Sequence, residues 1–289
     1  MTSPKPNAVH LAPEPFALSL SKGSPSTSSG RTARSGTPKL NKIAPKPVIA
    51  LVHGWGMNAR VFDTLAERLA DDFDVRALDL PGHGGRTALA VNSLRNWADD
   101  LASQLPPHST LLGWSLGGQV AMRAAIDHPD AVARLIVMSS TPKFVASDAW
   151  SHGMALSDLL TFGAALLDDT QSALLRFLSL QTRGVAGQKA LLQQLRAAFL
   201  AAPIGDAEAL KRGLELLRTT DLRAELSRLL QPALVVHGAL DTLTPIAAGA
   251  WLSSHLPRAQ HIEFARAAHA PHLSHGDEVA AAIGRFVHG

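Results

Sequence analysis

The chain of 289 residues has no cysteine. That excludes disulfides, a thiolate zinc site and a cysteine nucleophile, though it does not by itself assign a compartment. Long apolar runs are missing too: Ala233 to Val236, bounded by Pro232 and His237, is strand-sized, far below the roughly 18 residues of a membrane-spanning helix. Acidic residues are almost absent from the first 46 positions, where Glu14 alone faces Lys5, Lys22, Arg31, Arg34, Lys39, Lys42 and Lys46. This stretch therefore holds +6, and since the net charge is +3, the remainder carries −3. A mildly acidic body behind a basic leader excludes a nucleic-acid-binding domain, and no zinc, helix-turn-helix or ribonucleoprotein motif argues otherwise. The leader, residues 1–46, contains Ser24-Pro25-Ser26-Thr27-Ser28-Ser29-Gly30 and is too polar to bury a core, so it is expected to be disordered. Its Phe16 to Leu20 run is too short for a secretory signal, and cytoplasm is the expected location.

From Pro47 onward the pattern changes. Val48-Ile49-Ala50-Leu51-Val52 is a continuous apolar run that predicts a strand buried on both faces. Helical spacing follows at Val61, Leu65 and Leu69, then a strand over 74–80, a helix over 94–105 and a strand at Leu111-Leu112. Another helix leads to the strand Leu135-Ile136-Val137-Met138. Strands separated by helices imply a mostly parallel sheet with helices on both faces, because a parallel crossover needs a long connection. Between Ser147 and about Thr219 the alternation stops, and leucines recur at spacings of three or four, as in Leu156, Leu159, Leu160 and Leu210, Leu214, Leu217. Three or four short helices inserted as a cap are expected. Strands then resume at 233–236 and 261–264, with a last helix over 277–287. The division is a leader (1–46), a core in two parts (47–145 and 220–289) and a helical cap (146–219).

Gly113-Trp114-Ser115-Leu116-Gly117 fits the pattern that mounts a serine on a strained strand-to-helix turn, where bulky neighbours do not fit. Ser115 is the candidate nucleophile. A serine hydroxyl needs a base to take its proton and an acid to orient that base, and in this architecture they follow in the order serine, acid, histidine at the carboxyl ends of strands. Asp241, just past the strand that ends in His237-Gly238, fits the acid; Asp79 precedes the serine and Asp221 lies near the return of the cap. Thirteen histidines complicate the base. His269 lies in the first loop after the last strand, while His272 and His275 fall nearer the final helix. A metal site built from these three is the rival reading, but Pro271 interrupts the segment and no acidic cluster accompanies it. The developing oxyanion needs backbone donors, and the amides of Leu116 and Trp55 are expected to supply them. Neither metal nor cofactor is expected.

With His53-Gly54-Trp55-Gly56, Asp79-Leu80-Pro81-Gly82-His83-Gly84, Gly-Trp-Ser-Leu-Gly, Asp241 and His269 in order, the chain from about Ile49 onward resembles the α/β-hydrolase superfamily. More finely, it resembles the pimeloyl-[acyl-carrier protein] methyl ester esterase family of biotin synthesis. The strings behind that likeness are Leu51 to Asn58, Leu112 to Gly118, Arg176-Phe177-Leu178-Ser179-Leu180-Gln181-Thr182, Gly213 to Arg223 and Ala265 to Pro271. The resemblance implies methyl ester hydrolysis by a serine carboxylesterase, with the acyl chain passing Trp55, Met57, Trp114 and Phe177 between core and cap; separately, a monomer is expected. It also implies an acidic acyl carrier protein as partner, received on basic cap residues. Arg176 matches the family's arginine and Lys189 replaces another, while Ser172 and Gln193 stand where arginines are expected; Arg183, Arg196 and Arg212 are available to compensate. The alternatives are a broader carboxylesterase or lactonase without a carrier partner, and a non-catalytic ligand receptor on the same fold.

Overall fold

The computed structural model describes residues 45–205 and 207–289. The expected disordered leader falls on residues 1–46, nearly all of it outside the described residues. Six strands form one sheet: β1 (Val48–Val52), β2 (Asp74–Leu78), β3 (Ser109–Trp114), β4 (Val132–Met138), β5 (Ala233–Gly238) and β6 (Ala259–Phe264). They lie in the order β2-β1-β3-β4-β5-β6, and every pairing is parallel. The central strands β3 and β5 are buried along their whole length, as their apolar runs require. The edge strands β2 and β6 alternate with polar residues and stay partly exposed.

Helices α1 (Asp63–Leu69), α2 (Leu94–Ser103) and α3 (Leu116–Asp127) connect the first four strands. Ser93 caps α2 by accepting from the Asn96 amide. Between β4 and β5 run α4 (Leu156–Asp168), α5 (Thr170–Gln181), α6 (Gln188–Leu200) and α7 (Ala207–Thr219), four helices with no intervening strand. They are bound to the loops at the carboxyl ends of the strands: Trp55 Nε1 donates to Leu210 O (2.7 Å), and Asn58 Nδ2 donates to Ala198 O and Phe199 O (3.0 and 3.1 Å). Residues 45–289 form one unit, so the helical insertion is not a separate body.

Helix α8 (Ile246–His255), between β5 and β6, has no counterpart in the sequence reading. Its face toward the sheet is made of Ala248, Gly249 and Leu252, so alanine and glycine replace the leucines that make a helical period visible. The chain closes with α9 (Pro271–Ser274) and α10 (Gly276–His288). Among the described residues, no helix is long and apolar enough to cross a membrane.

Candidate active site

The strand order reverses direction at β1, which has β2 on one side and β3 on the other. In an open parallel sheet the crevice at such a switch point, beyond the carboxyl ends of the strands, is where ligands bind. The loop after β1 carries Trp55 and the turn after β3 carries Ser115, and the register Val52↔Gly113 brings the two exits side by side.

Ser115 adopts φ 56°, ψ −121°, a left-handed conformation that costs a non-glycine residue roughly 1–3 kcal/mol. Neighbouring bonds hold it there. The Ser115 amide donates to Met138 O (3.0 Å), and its carbonyl accepts from Ser140 Oγ (2.6 Å) and the Gly118 amide (2.9 Å). A Cβ at Gly117 would overlap the carbonyl oxygens of Val52 and His53, and one at Gly113 would overlap Gly117 itself. The turn can lie this close to β1 only because both residues lack side chains. Leu116 opens α3, and its amide, like that of Trp55, donates to no acceptor among the described residues.

Asp241 and His269 meet at the ends of β5 and β6. His269 Nδ1 lies 2.8 Å from Asp241 Oδ2, and both side chains are buried. The other carboxylate oxygen, Oδ1, accepts from the amides of Leu243 (2.9 Å) and Thr244 (3.0 Å), and Oδ2 also accepts from the Thr244 hydroxyl (2.8 Å). Burial alone would raise the Asp241 pKa, but the charge and hydrogen bond of His269, then His237 and the Thr244 amide, hold it below the usual carboxylate range. The carboxylate is therefore ionised and aimed at Nδ1, which leaves Nε2 of His269 free as an acceptor.

The rival residues go elsewhere. Asp79 Oδ1 accepts from the Ala59 amide (2.6 Å), and Asp221 pairs with Lys143 and Arg223. His272 is fully buried between Phe62 and Trp114, neither ring nitrogen has a partner among the described residues, and burial pushes its pKa down to about 3. His275 faces Phe264 and Ser274. No cluster of three or more His, Cys, Asp or Glu suited to a metal occurs among the described residues.

A cavity of about 270 Å³ opens beside the acid, lined by Phe144, Phe162, Phe177, Leu214 and, directly after Asp241, Thr242 and Leu243. It sits just below the roughly 300 Å³ at which pockets for drug-sized ligands begin, a size suited to a short acyl chain. Of the four expected liners only Phe177 lines it. Trp114 is fully buried beneath the His269 loop, to whose carbonyl it donates, and Met57 is buried in the core. Trp55 stands behind the lining, edge-on to Phe162 and Phe177. Trp114, next to Ser115 in sequence, is drawn into the core here, and most of the cavity wall comes from the inserted helices.

Arg176 is exposed on α5, and Lys189 on α6 is exposed and makes no ion pair among the described residues. Of the compensating arginines, Arg183 lines the cavity, whereas Arg212 is engaged by Leu89 O (2.7 Å) and Glu208 (3.5 Å). Two further residues have no role assigned in the sequence reading. His83, buried, accepts from the Gly56 amide at Nε2 (3.2 Å) and donates from Nδ1 to Pro81 O (3.0 Å), tying the loop after β1 to the loop after β2. Burial lowers its pKa to about 3 and keeps it neutral. Thr244 is the other; an aspartate followed three residues on by threonine is a turn signal that could have flagged it.

The sequence model described as the alpha/beta hydrolase fold matches residues 47–276. A pimeloyl-[acyl-carrier protein] methyl ester esterase of Nitrosomonas europaea is 41% identical over 228 residues, 79% of this chain and 90% of that protein. One of the same description from Aromatoleum aromaticum is 39% identical over 84% of this chain and 99% of its own length. Among solved structures, an esterase from Exiguobacterium antarcticum superposes with a TM-score of 0.77 at 22% identity, covering 85% of this chain and 93% of that one. The enol-lactonase of Burkholderia xenovorans LB400 does so at 0.73 and 18%, covering 86% and 94%. At those identities the two structures speak for the fold alone.

Proposed function

The chain belongs to the alpha/beta hydrolase fold family and, within it, to the pimeloyl-[acyl-carrier protein] methyl ester esterases; from that premise we propose a serine esterase that releases methanol from the methyl ester of pimeloyl-[acyl-carrier protein] in biotin synthesis, with Ser115, His269 and Asp241 as its triad. The observations that support the triad are the buried 2.8 Å contact between Asp241 and His269 and, at the end of β3, a serine held at positive φ whose preceding residue, Trp114, donates to the His269 carbonyl.

His269 Nε2 takes the Ser115 proton as the oxygen attacks the ester carbonyl, and the amides of Trp55 and Leu116 donate to the oxyanion that forms. Leu116 adds the positive end of α3 at the same point. Collapse of the tetrahedral intermediate breaks the bond to the methoxy group, which leaves as methanol with the proton from His269. Water then gives a proton to the same nitrogen, attacks the acyl-enzyme and releases the carboxylate and free Ser115. Asp241 stays ionised throughout and stabilises the imidazolium. The acyl chain lies along Phe177 and Leu214 in the apolar cavity, and the carrier docks on Arg176 and Lys189, with Arg183 at the cavity.

The test is cleavage of the purified methyl ester on carrier protein, together with rescue of biotin-free growth in a strain lacking its own pimeloyl methyl esterase. Ser115→Ala should lose at least about a thousandfold in kcat, and His269→Ala should cost far more than His272→Ala. Absence of turnover by the wild type would overturn the reading. Turnover of small free esters alone would remove the carrier.

A further inference from the structure

Two buried histidines stand near the buried carboxylate of Asp241. His269 Nδ1 lies 2.8 Å and His237 Nε2 lies 3.7 Å from the same oxygen, Asp241 Oδ2. Only the first contact serves the reaction. His237, next to last in β5, packs against Gly249 of α8, and its Nδ1 has no partner among the described residues. Thr244 touches all three groups. Its amide donates to Asp241 Oδ1 (3.0 Å), its hydroxyl donates to Oδ2 (2.8 Å), and its carbonyl accepts from His237 Nε2 (2.7 Å). The hydroxyl oxygen also lies 3.4 Å from His237 Nε2 and 3.4 Å from His269 Nδ1.

We propose that Thr244 is a positioning residue that commits Asp241 to His269 rather than to His237. The Thr244 carbonyl takes the Nε2 proton of His237, so that ring has no proton left to offer the carboxylate. The hydroxyl holds Oδ2 while the two amides hold Oδ1, and the carboxylate cannot turn toward His237 without breaking both sets of bonds. The hydroxyl has one proton, and Oδ2 is its shortest acceptor. Its lone pairs therefore face the ring nitrogens, which favours the proton on Nδ1 of His269 and leaves Nε2 unprotonated to receive the serine proton. The β-branched side chain, buried and limited in χ1, keeps the hydroxyl in this orientation.

The inference rests on the esterase reading, and its test separates the two. Thr244→Val removes the hydroxyl and leaves both backbone contacts. On a short methyl ester its kcat should fall about tenfold with KM within about twofold of wild type, since the loss lies in orienting the base and not in binding. Thr244→Ser should restore most of the activity, and Thr244→Ala, free of any methyl crowding, should lose as much as Thr244→Val. The deshielded Nδ1 proton of His269, followed by NMR, should shift or broaden in Thr244→Val and keep its position in Thr244→Ser. In an Asp241→Asn background Thr244→Val should add almost nothing, because it acts through the carboxylate. An active wild type with Thr244→Val at the same kcat overturns the role of Thr244 and leaves the esterase standing. So does a loss that keeps its full size in Asp241→Asn. An inactive wild type overturns the esterase reading itself.

Discussion

The indole Nε1 of Trp114 donates a 2.7 Å hydrogen bond to the backbone carbonyl of His269, so the residue immediately before Ser115 holds the loop that delivers the imidazole. The amide of the same histidine donates to Gln181 O at the end of α5 (3.2 Å). One residue is thus held from the core on one side and from the inserted helices on the other, and both bonds are buried away from competing water.

Trp114→Phe keeps a ring in the core but leaves the His269 carbonyl without its donor. An orphaned buried carbonyl costs about 1–3 kcal/mol. The melting temperature should fall accordingly, and steady-state kinetics on a short ester should show a lower kcat at nearly unchanged KM.

Gly117→Ala places a methyl group against the carbonyls of Val52 and His53, both main-chain atoms that cannot swing aside. The expected cost is about 3 kcal/mol or more. Because the strain falls on the loop that bears Trp55, activity should fall further than stability predicts, which a comparison of urea midpoints with kcat would reveal.

His83 and His272 are both held neutral by burial, with pKa values pushed from 6.5 down to about 3. The unfolded chain protonates both near 6.5, so the stability they contribute is complete above that pH and is lost as pH falls from about 6.5 toward 3. Each histidine contributes a slope of about 1.4 kcal/mol per pH unit across that window. His272→Phe keeps the packing against Phe62 and Trp114 and should remove one histidine's share of the slope, measured as urea midpoints at pH 7 and pH 5. An unchanged slope would show that His272 charges in the folded state.

Arg176→Glu reverses an exposed charge on the helix expected to meet the acidic carrier. KM for the carrier-linked ester should rise severalfold, by roughly 3–10-fold at low salt, and the difference from wild type should shrink as ionic strength increases. KM for a small free ester should move much less.

Strands β1, β3, β4 and β5 were legible because a buried parallel strand reads as a short apolar run between helical periods, and the edge strands β2 and β6 because apolar residues alternate with polar ones over a strand-sized stretch. Helix α8 was not, because Ala248 and Gly249 pack by being small and leave no leucine period. The serine turn was legible because Gly113 and Gly117 are demanded by contacts within a few residues and with the adjacent strand. The cavity wall was not: Trp114 and Met57, close in the chain to Ser115 and Trp55, turn into the core, and Phe144, Phe162 and Leu214 reach the cavity from distant helices and loops. Arg183 at the cavity was legible only as one of several spare arginines.

The amino-acid order by itself determined the alternation of strand and helix, the glycines that allow the Ser115 turn, and the succession of serine, acid and histidine, all of them local or ordinal properties. Only the tertiary structure decided which acid meets which histidine. His269 and His272 are three residues apart, yet one reaches Asp241 while the other is sealed between Phe62 and Trp114. The reason is the parallel pairing of β5 with β6, which aligns Gly238 with Phe264 and lets Leu240 N reach Ala267 O across 2.9 Å. That registry sets the two loops side by side and brings His269, not His272, to Asp241.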